Sequence, residues 1–144
     1  MDERGVRIAL VVVNLFAAVS AIVGAVGLLV GFMDIPLSEL AGTPFADFTI
    51  PALLLGIVVG GSALVAAIIA LFGPRRFEAL ASAAAGCIMV GWMMVEIAMV
   101  GLDIWVQAAY FAVGLVMIGL AALLQWVKAH QPGVSSQPHA HHLA

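Results

Sequence analysis

The chain has 144 residues, of which 65% are hydrophobic and only 9% carry a charge, and its formal net charge is −3. Soluble domains contain about 25% charged residues, so this composition excludes a water-soluble globule. It also excludes a disordered chain, which needs low hydrophobicity and high net charge. Five basic residues offer no basic surface for nucleic acid. The chain is therefore predicted to be an integral membrane protein.

Four apolar segments are long enough to cross the ~30 Å hydrocarbon core of a bilayer as helices, which takes about 20 residues each. They cover residues 8–30, 51–72, 79–100 and 104–127. Each segment is apolar on both faces and about twice as long as a barrel strand, so helices are predicted rather than strands. The predicted fold class is all-α, a transmembrane four-helix bundle formed by residues 1–129.

The basic residues predict how the bundle is oriented. Arg4 and Arg7 precede the first span. Arg75 and Arg76 lie between the second and third spans, and Lys128 follows the fourth. Basic residues concentrate on the cytoplasmic side of membranes, so both termini are predicted to be cytoplasmic and the compartment to be a bacterial cytoplasmic (inner) membrane. The alternative, a cleaved signal peptide, is disfavoured by the long apolar run of the first span and its lack of a small-residue cleavage site.

Two segments outside the spans have distinct compositions. Residues 31–51 contain three prolines and several apolar side chains. They are predicted to form either a connector folded over the mouth of the bundle or a lid over an outward-facing pocket. Residues 130–144 are polar, with two prolines and four histidines, and are predicted to be a disordered cytoplasmic tail. These histidines lack a defined ligand spacing, so neither a metal site nor a cofactor is predicted.

Small residues on one helix face predict where helices pack, because association in lipid depends on close approach and a few hydrogen bonds. The second span carries Gly56, Gly60, Ala63 and Ala67 at steps of three and four. In the first span, Asn14 is predicted to form an interhelical hydrogen bond. This packing is predicted to be internal to the bundle. The alternative is a homo-oligomer seam, so the predicted partners are membrane lipids and either a second copy or another membrane protein.

One group of polar residues predicts a site. Glu96 is the ionisable residue that lies well inside a span, and such residues usually face the bundle or a wet cavity. Gln107, in the antiparallel fourth span, is at nearly the same depth, so a hydrogen bond between the two is predicted. Trp92 lies one turn from Glu96, and Asp103 and Tyr110 each lie one turn from Gln107. Together these residues are predicted to line an aromatic-walled pocket open to the outside.

Three interpretations of this pocket stay open. A buried Glu96 held by Gln107 would fix the register of the hairpin, whereas binding of a cation or a proton-linked solute would make the pocket a transport site. Hydrolytic chemistry would need a second group, for which Asp103 is the candidate. The leading prediction is a non-enzymatic accessory or binding component of the membrane. The alternative is a small ion- or proton-linked transporter or channel that uses Glu96 and Gln107.

The chain resembles a group of small, uncharacterised four-helix inner-membrane proteins of bacteria. Short motifs spread over residues 10–125 carry the resemblance: Ile50-Pro51-Ala-Leu-Leu, Val59-Gly60-Gly61, Arg75-Arg76, Trp92 with Glu96, and Gln107-Ala-Ala-Tyr110-Phe111. The resemblance implies the same four-span topology and supplies no activity. Small multidrug-resistance transporters are similar in size and span count, but their essential glutamate lies in the first span, where this chain has none.

Overall fold

A computed structural model describes residues 1–102 and 104–132. Four long helices make up most of this part of the chain: α1 (Glu3–Leu29), α2 (Thr49–Phe72), α3 (Glu78–Val100) and α4 (Ile104–Ala129). All four are long and apolar enough to cross a membrane. The described residues contain no strand, so the all-α prediction with four candidate spans is confirmed.

The first helix begins five residues before the predicted start at residue 8. The side chain of Asp2 accepts a hydrogen bond of 3.1 Å from the backbone N–H of Gly5 and caps the helix. One turn further on, the carboxylate of Glu3 pairs with Arg7 at 3.3 Å, an i,i+4 contact that stabilises a helix. These polar contacts extend α1 past the end of its apolar run, which hydropathy alone could not predict.

The second helix also begins earlier than predicted, at Thr49 rather than Pro51. The carboxylate of Asp47 accepts the backbone N–H of Thr49 at 2.9 Å, and hydrogen bonds from Thr49 hold the pKa of Asp47 below its usual range. Pro51 then falls within the first turn, where its missing N–H costs no helical hydrogen bond.

The middle of α2 is a π-helix, from Leu54 to Gly60, between two α-helical segments. Two of its glycines lie against α1. A Cβ atom on Gly56 would be 2.9 Å from the Cβ of Ala25, and one on Gly60 would be 2.9 Å from Cγ1 of Ile22. Both glycines therefore allow an approach of α2 to α1 that any side chain would block.

The four helices form an antiparallel bundle in which each helix packs on its neighbours in the order α1, α2, α3, α4 and back to α1. The first helix begins at Glu3 and the last one ends at Ala129, and we call the end of the bundle that contains both residues the terminal end. The opposite end, covered by residues 31–48, is the loop end. The central layer is built mostly from alanines. Its buried members are Ala17, Ala18, Ala21, Val59, Ala63, Ala66, Ala85, Met89 and Met117.

The predicted packing residues lie between the helices. Gly60, Ala63 and Ala67 are buried on α2, and Asn14 is fully buried on α1. The Asn14 side-chain amide donates to the hydroxyl of Ser82 on α3 at 2.9 Å, which confirms the predicted interhelical hydrogen bond. The predicted alternative of a homo-oligomer seam stays a prediction.

Helices α3 and α4 approach each other closely at two facing glycines. A Cβ on Gly86 would lie 2.8 Å from the carbonyl oxygen of Gly114, and a Cβ on Gly114 would lie 3.1 Å from the carbonyl oxygen of Gly86. The two backbones therefore touch at this crossing. Gly101, with φ of +87°, then turns the chain from α3 towards α4, in a conformation that favours glycine.

An ion-pair cluster joins three helices at the terminal end. Its centre is Glu78, whose side chain is 1% exposed. The guanidinium of Arg7 donates to both carboxylate oxygens of Glu78, at 2.8 and 3.0 Å. The ammonium of Lys128 on α4 donates to the same carboxylate and to the backbone carbonyl of Arg75, the latter at 2.7 Å. Three residues from which orientation was predicted therefore meet at one end of the bundle.

The first two residues of the predicted tail contact the bundle. The imidazole of His130 stacks on the indole of Trp126 with ring centroids 4.5 Å apart. The amide of Gln131 donates to the carboxylate of Glu3 at 2.6 Å. These first tail residues therefore contact α4 and α1, because their side chains reach polar partners at the terminal end. The predicted disorder of residues 133–144 concerns residues outside the described part.

Candidate ligand-binding cavity

A cavity of about 350 Å³ lies inside the loop end of the bundle. All four helices and the loop line it. The lining residues are Ser20, Ala21, Gly24 and Leu28 of α1; Met33, Ile35, Leu40 and Phe48 of the loop; Pro51 and Leu55 of α2; Met89, Trp92, Met93, Val95, Glu96, Met99 and Val100 of α3; and Val106, Gln107 and Tyr110 of α4.

Four of the five residues predicted to form a pocket line this cavity: Trp92, Glu96, Gln107 and Tyr110. The fifth, Asp103, lies outside the described residues. The spacing explains why the four meet. Trp92 and Glu96 are one turn apart on α3, and Gln107 and Tyr110 are one turn apart on α4, so each pair shares a helix face. The short connection between the antiparallel helices brings the two pairs to the same depth.

Hydrogen bonds orient two of these side chains. The indole Nε1 of Trp92 donates to Oε2 of Glu96 at 3.0 Å. The amide of Gln107 donates to the backbone carbonyl of Gly101 at 2.8 Å, and its side chain is 4% exposed. The predicted hydrogen bond between Glu96 and Gln107 stays a prediction. Glu96 is only partly buried, so its carboxyl group is held at a wall of the cavity rather than sealed within the core.

The loop closes the outer side of the cavity. It contains a 3₁₀ helix, Leu37–Leu40, whose last side chain is 5% exposed. Leu40 points its apolar side chain into the bundle, where it lines the cavity together with Met33 and Phe48. This placement fits both sequence expectations, since the loop folds over the bundle mouth and also covers a pocket. Burial of Leu40, together with partial burial of Phe48, favours this placement.

Apolar side chains form the floor of the cavity. On α3, Ser82 and Trp92 are ten residues apart, which is about 15 Å along a helix. The layer between them is the central alanine layer, with Met89 and Met117 each no more than 1% exposed. The described residues place no buried polar side chain within that layer. The cavity is therefore closed towards the terminal end in this conformation.

Sequence reasoning missed two parts of the polar architecture. It found the aromatic and polar wall, but not the contribution of α1 through Ser20, Gly24 and Leu28. It also treated Arg7 and Lys128 only as orientation signals and overlooked Glu78, their shared partner. One sequence signal was available. Glu78 directly precedes an apolar span and lies at the same end of the bundle as Arg7 and Lys128 of other helices, which favours ion pairs between them.

The lining also shows what the cavity can do chemically. It is mostly aliphatic and thioether surface, with a carboxyl group, an amide, an indole and a phenol gathered on the α3–α4 wall. That is the composition of small-molecule sites, which are largely apolar and orient a ligand with a few polar groups. The searches found no match to this chain among protein-family models, curated proteins or solved structures, so the resemblance to small four-helix bacterial proteins stays a prediction.

Proposed function

We propose that this protein is a multi-pass, non-enzymatic binding component of a bacterial cytoplasmic membrane, with both termini in the cytoplasm. It holds a small, largely apolar molecule in the cavity at the outer end of the bundle. The observation that carries the proposal is the cavity of about 350 Å³, roofed by the loop and floored by the alanine layer. Small-molecule sites usually have volumes of about 300–1,000 Å³, so one small ligand fits.

The position of the charges supports the proposed orientation. Arg7, Arg75 and Lys128 gather at the terminal end through contacts with Glu78 or Glu3. The described part of the loop end carries acidic residues and no basic ones. Basic residues favour the cytoplasmic side, so the loop end and its cavity face outward.

Cysteine labelling tests this orientation. In a chain whose native Cys87 is replaced by serine, single cysteines at Arg76 and at Asp2 are expected to react with a membrane-impermeant maleimide only after the cells are opened. A cysteine at Glu39, an exposed loop residue, is expected to react in intact cells. Reaction of Arg76→Cys and Glu39→Cys from the same side would contradict the proposed topology.

Binding is favoured over catalysis by the character of the lining. Its apolar surface suits the body of a ligand, and the polar groups on the α3–α4 wall suit a single head group. The methionines Met89, Met93 and Met99 add adaptable, polarisable surface of the kind found at binding sites that accept several shapes. These features favour reversible binding of a ligand over a chemical reaction.

The second candidate function is a small ion- or proton-linked transporter. The position of Glu96 favours it, because an ionisable side chain within a span that reaches a cavity is typical of transport sites. Transport would require the layer around Met89 and Met117 to part, since that layer closes the cavity towards the terminal end. In the described conformation the cavity is closed towards the terminal end, which favours ligand binding over transport through the bundle.

Ligand binding can be measured through Trp92. In a Trp105→Phe, Trp126→Phe background, Trp92 is the remaining tryptophan, and a bromine atom bound in the cavity quenches its fluorescence. The probe is 4-bromophenethyl alcohol, with the protein in phosphatidylcholine nanodiscs. We expect saturable quenching. Ser20→Phe should weaken it at least about tenfold by filling the cavity, a loss of about 1.4 kcal/mol in binding free energy.

The matched control is Val19→Phe, at a neighbouring position on the outer surface of α1 where the side chain is 60% exposed. This variant adds the same ring outside the cavity and should leave quenching unchanged. Equal quenching in wild type, Ser20→Phe and Val19→Phe would mean that the probe quenches from the lipid, and would overturn the proposed function.

A further inference from the structure

We infer that the ligand of this cavity is a small organic cation with an apolar body, such as an aryl- or alkylammonium ion, whose charged head lies against Glu96. The inference rests on the proposed function and specifies the class of ligand. It follows from the distribution of charge in and around the cavity, and from the aromatic side chains beside the carboxyl group.

The charge of the lining has one sign. Among the described lining residues, Glu96 is the acid and none is a Lys, Arg or His. The hydrogen bond from Trp92 fixes the direction of its carboxyl group at the cavity wall. A charge-assisted hydrogen bond from an ammonium group to a carboxylate is roughly twice as strong as a neutral one. A cationic head group therefore gains more at this wall than a neutral head group of the same size.

The aromatic and thioether side chains suit the same ligand. Trp92 of α3 and Tyr110 of α4 both line the cavity. Indole and phenol rings attract cations through their faces, more strongly where water is excluded. The rest of the lining is mostly apolar, with the ring of Phe48 and the hydroxyl group of Ser20 among aliphatic and thioether side chains, and it accommodates an apolar body. The cavity therefore offers one region for the charged head and another for the apolar body of an amphiphilic cation.

The surroundings of the mouth favour cations as well. The loop carries Asp34, Glu39 and Asp47, all exposed. The basic clusters of Arg7, Arg75 and Lys128 lie at the opposite end of the bundle. A field of one sign around a cleft raises the local concentration of ions of the opposite sign. The acidic residues of the loop therefore raise the concentration of cations near the cavity, and the carboxyl group of Glu96 favours the same ligands.

A matched pair of probes tests the inference. In the single-tryptophan background, quenching of Trp92 is titrated at pH 7 with 4-bromophenethylammonium and with 4-bromophenethyl alcohol, which has nearly the same shape and no charge. We expect the cation to bind at least about tenfold more tightly in wild type, because hydrogen bonds to charged partners are worth more than neutral ones. In Glu96→Gln the affinity for the cation should fall at least about tenfold, so that the ratio of the two affinities drops to about one.

The outcomes separate the two proposals. Equal affinities for the two probes in wild type, or a preference for the cation that survives in Glu96→Gln, would overturn the inference while binding of the alcohol upholds the proposed function. If both probes quench Trp92 no more strongly in the wild type than in Ser20→Phe, the proposed function fails and the inference fails with it. A circular dichroism spectrum of Glu96→Gln that matches the wild type shows that this variant is folded.

Discussion

Glu78→Gln is expected to lower the free energy of unfolding by about 3 kcal/mol. The substitution keeps the size of the side chain and removes its charge, which leaves Arg7 and Lys128 facing each other without the carboxylate that both contact. Removing one partner from a buried ion pair costs about 3–5 kcal/mol, and the side chains of Arg7 and Lys128 are 22% and 24% exposed, which places this site at the low end. Unfolding in mixed micelles with increasing dodecyl sulfate, followed by circular dichroism, measures the change.

The matched control for this prediction is Glu39→Gln, the same chemical change at an exposed loop position. Exposed substitutions usually change stability by no more than about 0.5 kcal/mol. If Glu78→Gln proved as mild as Glu39→Gln, the ion-pair cluster would not hold the terminal end together, and the three helices would have to be joined there by apolar packing alone.

The second large effect is expected at the crossing of α3 and α4. Gly86→Ala should lower the free energy of unfolding by about 1–3 kcal/mol, the usual cost of overpacking a close-packed interface. The added methyl group would lie 2.8 Å from the carbonyl oxygen of Gly114 and 2.8 Å from Cγ1 of Ile118. A backbone carbonyl cannot move aside as the end of a flexible side chain can, so the two helices must separate.

Two glycines on the same helices provide the controls. A Cβ on Gly91 of α3 or on Gly119 of α4 would meet no heavy atom within 4 Å among the described residues. Gly91→Ala and Gly119→Ala should therefore stabilise the protein by about 0.4–1 kcal/mol, since alanine restricts the unfolded chain more than glycine does. The expected changes in the free energy of unfolding have opposite signs for Gly86→Ala and Gly91→Ala, so the pair tests how closely α3 and α4 cross. Stabilisation by Gly86→Ala would show that the two backbones are further apart.

The features that sequence predicted are those set by local spacing. Hydropathy located four helices, because a span must be apolar over about 20 residues. The wall formed by Trp92, Glu96, Gln107 and Tyr110 follows from side chains one turn apart on two helices joined by a short turn. Asn14 was predicted to bond to another helix, because a buried amide in a span needs a partner.

The features that sequence did not predict depend on contacts between residues far apart in the chain. Glu78 meets Arg7 and Lys128 only after three helices have packed, so no window of neighbouring residues reveals the cluster. The π-helix at Leu54–Gly60 has no sequence signature beyond its two glycines, both of which lie against α1. The sequence predicted that the loop covers the mouth of the bundle, but not that Leu40 is its buried side chain, because hydropathy does not determine how an irregular loop folds back.

The contact between Gly86 and Gly114 has a consequence for how the cavity can admit a molecule. Two backbones already in contact resist both shear and separation, so α3, α4 and their short turn move together as a stiff hairpin. We expect more flexibility in the other half of the bundle, where residues 30–48 form a long connection with one 3₁₀ helix and α2 contains a π-helix. For the ligand binding proposed above, we therefore expect the half that contains Glu96 to move least, and the half that contains Leu40 and Leu55 to move most, when a molecule enters the cavity.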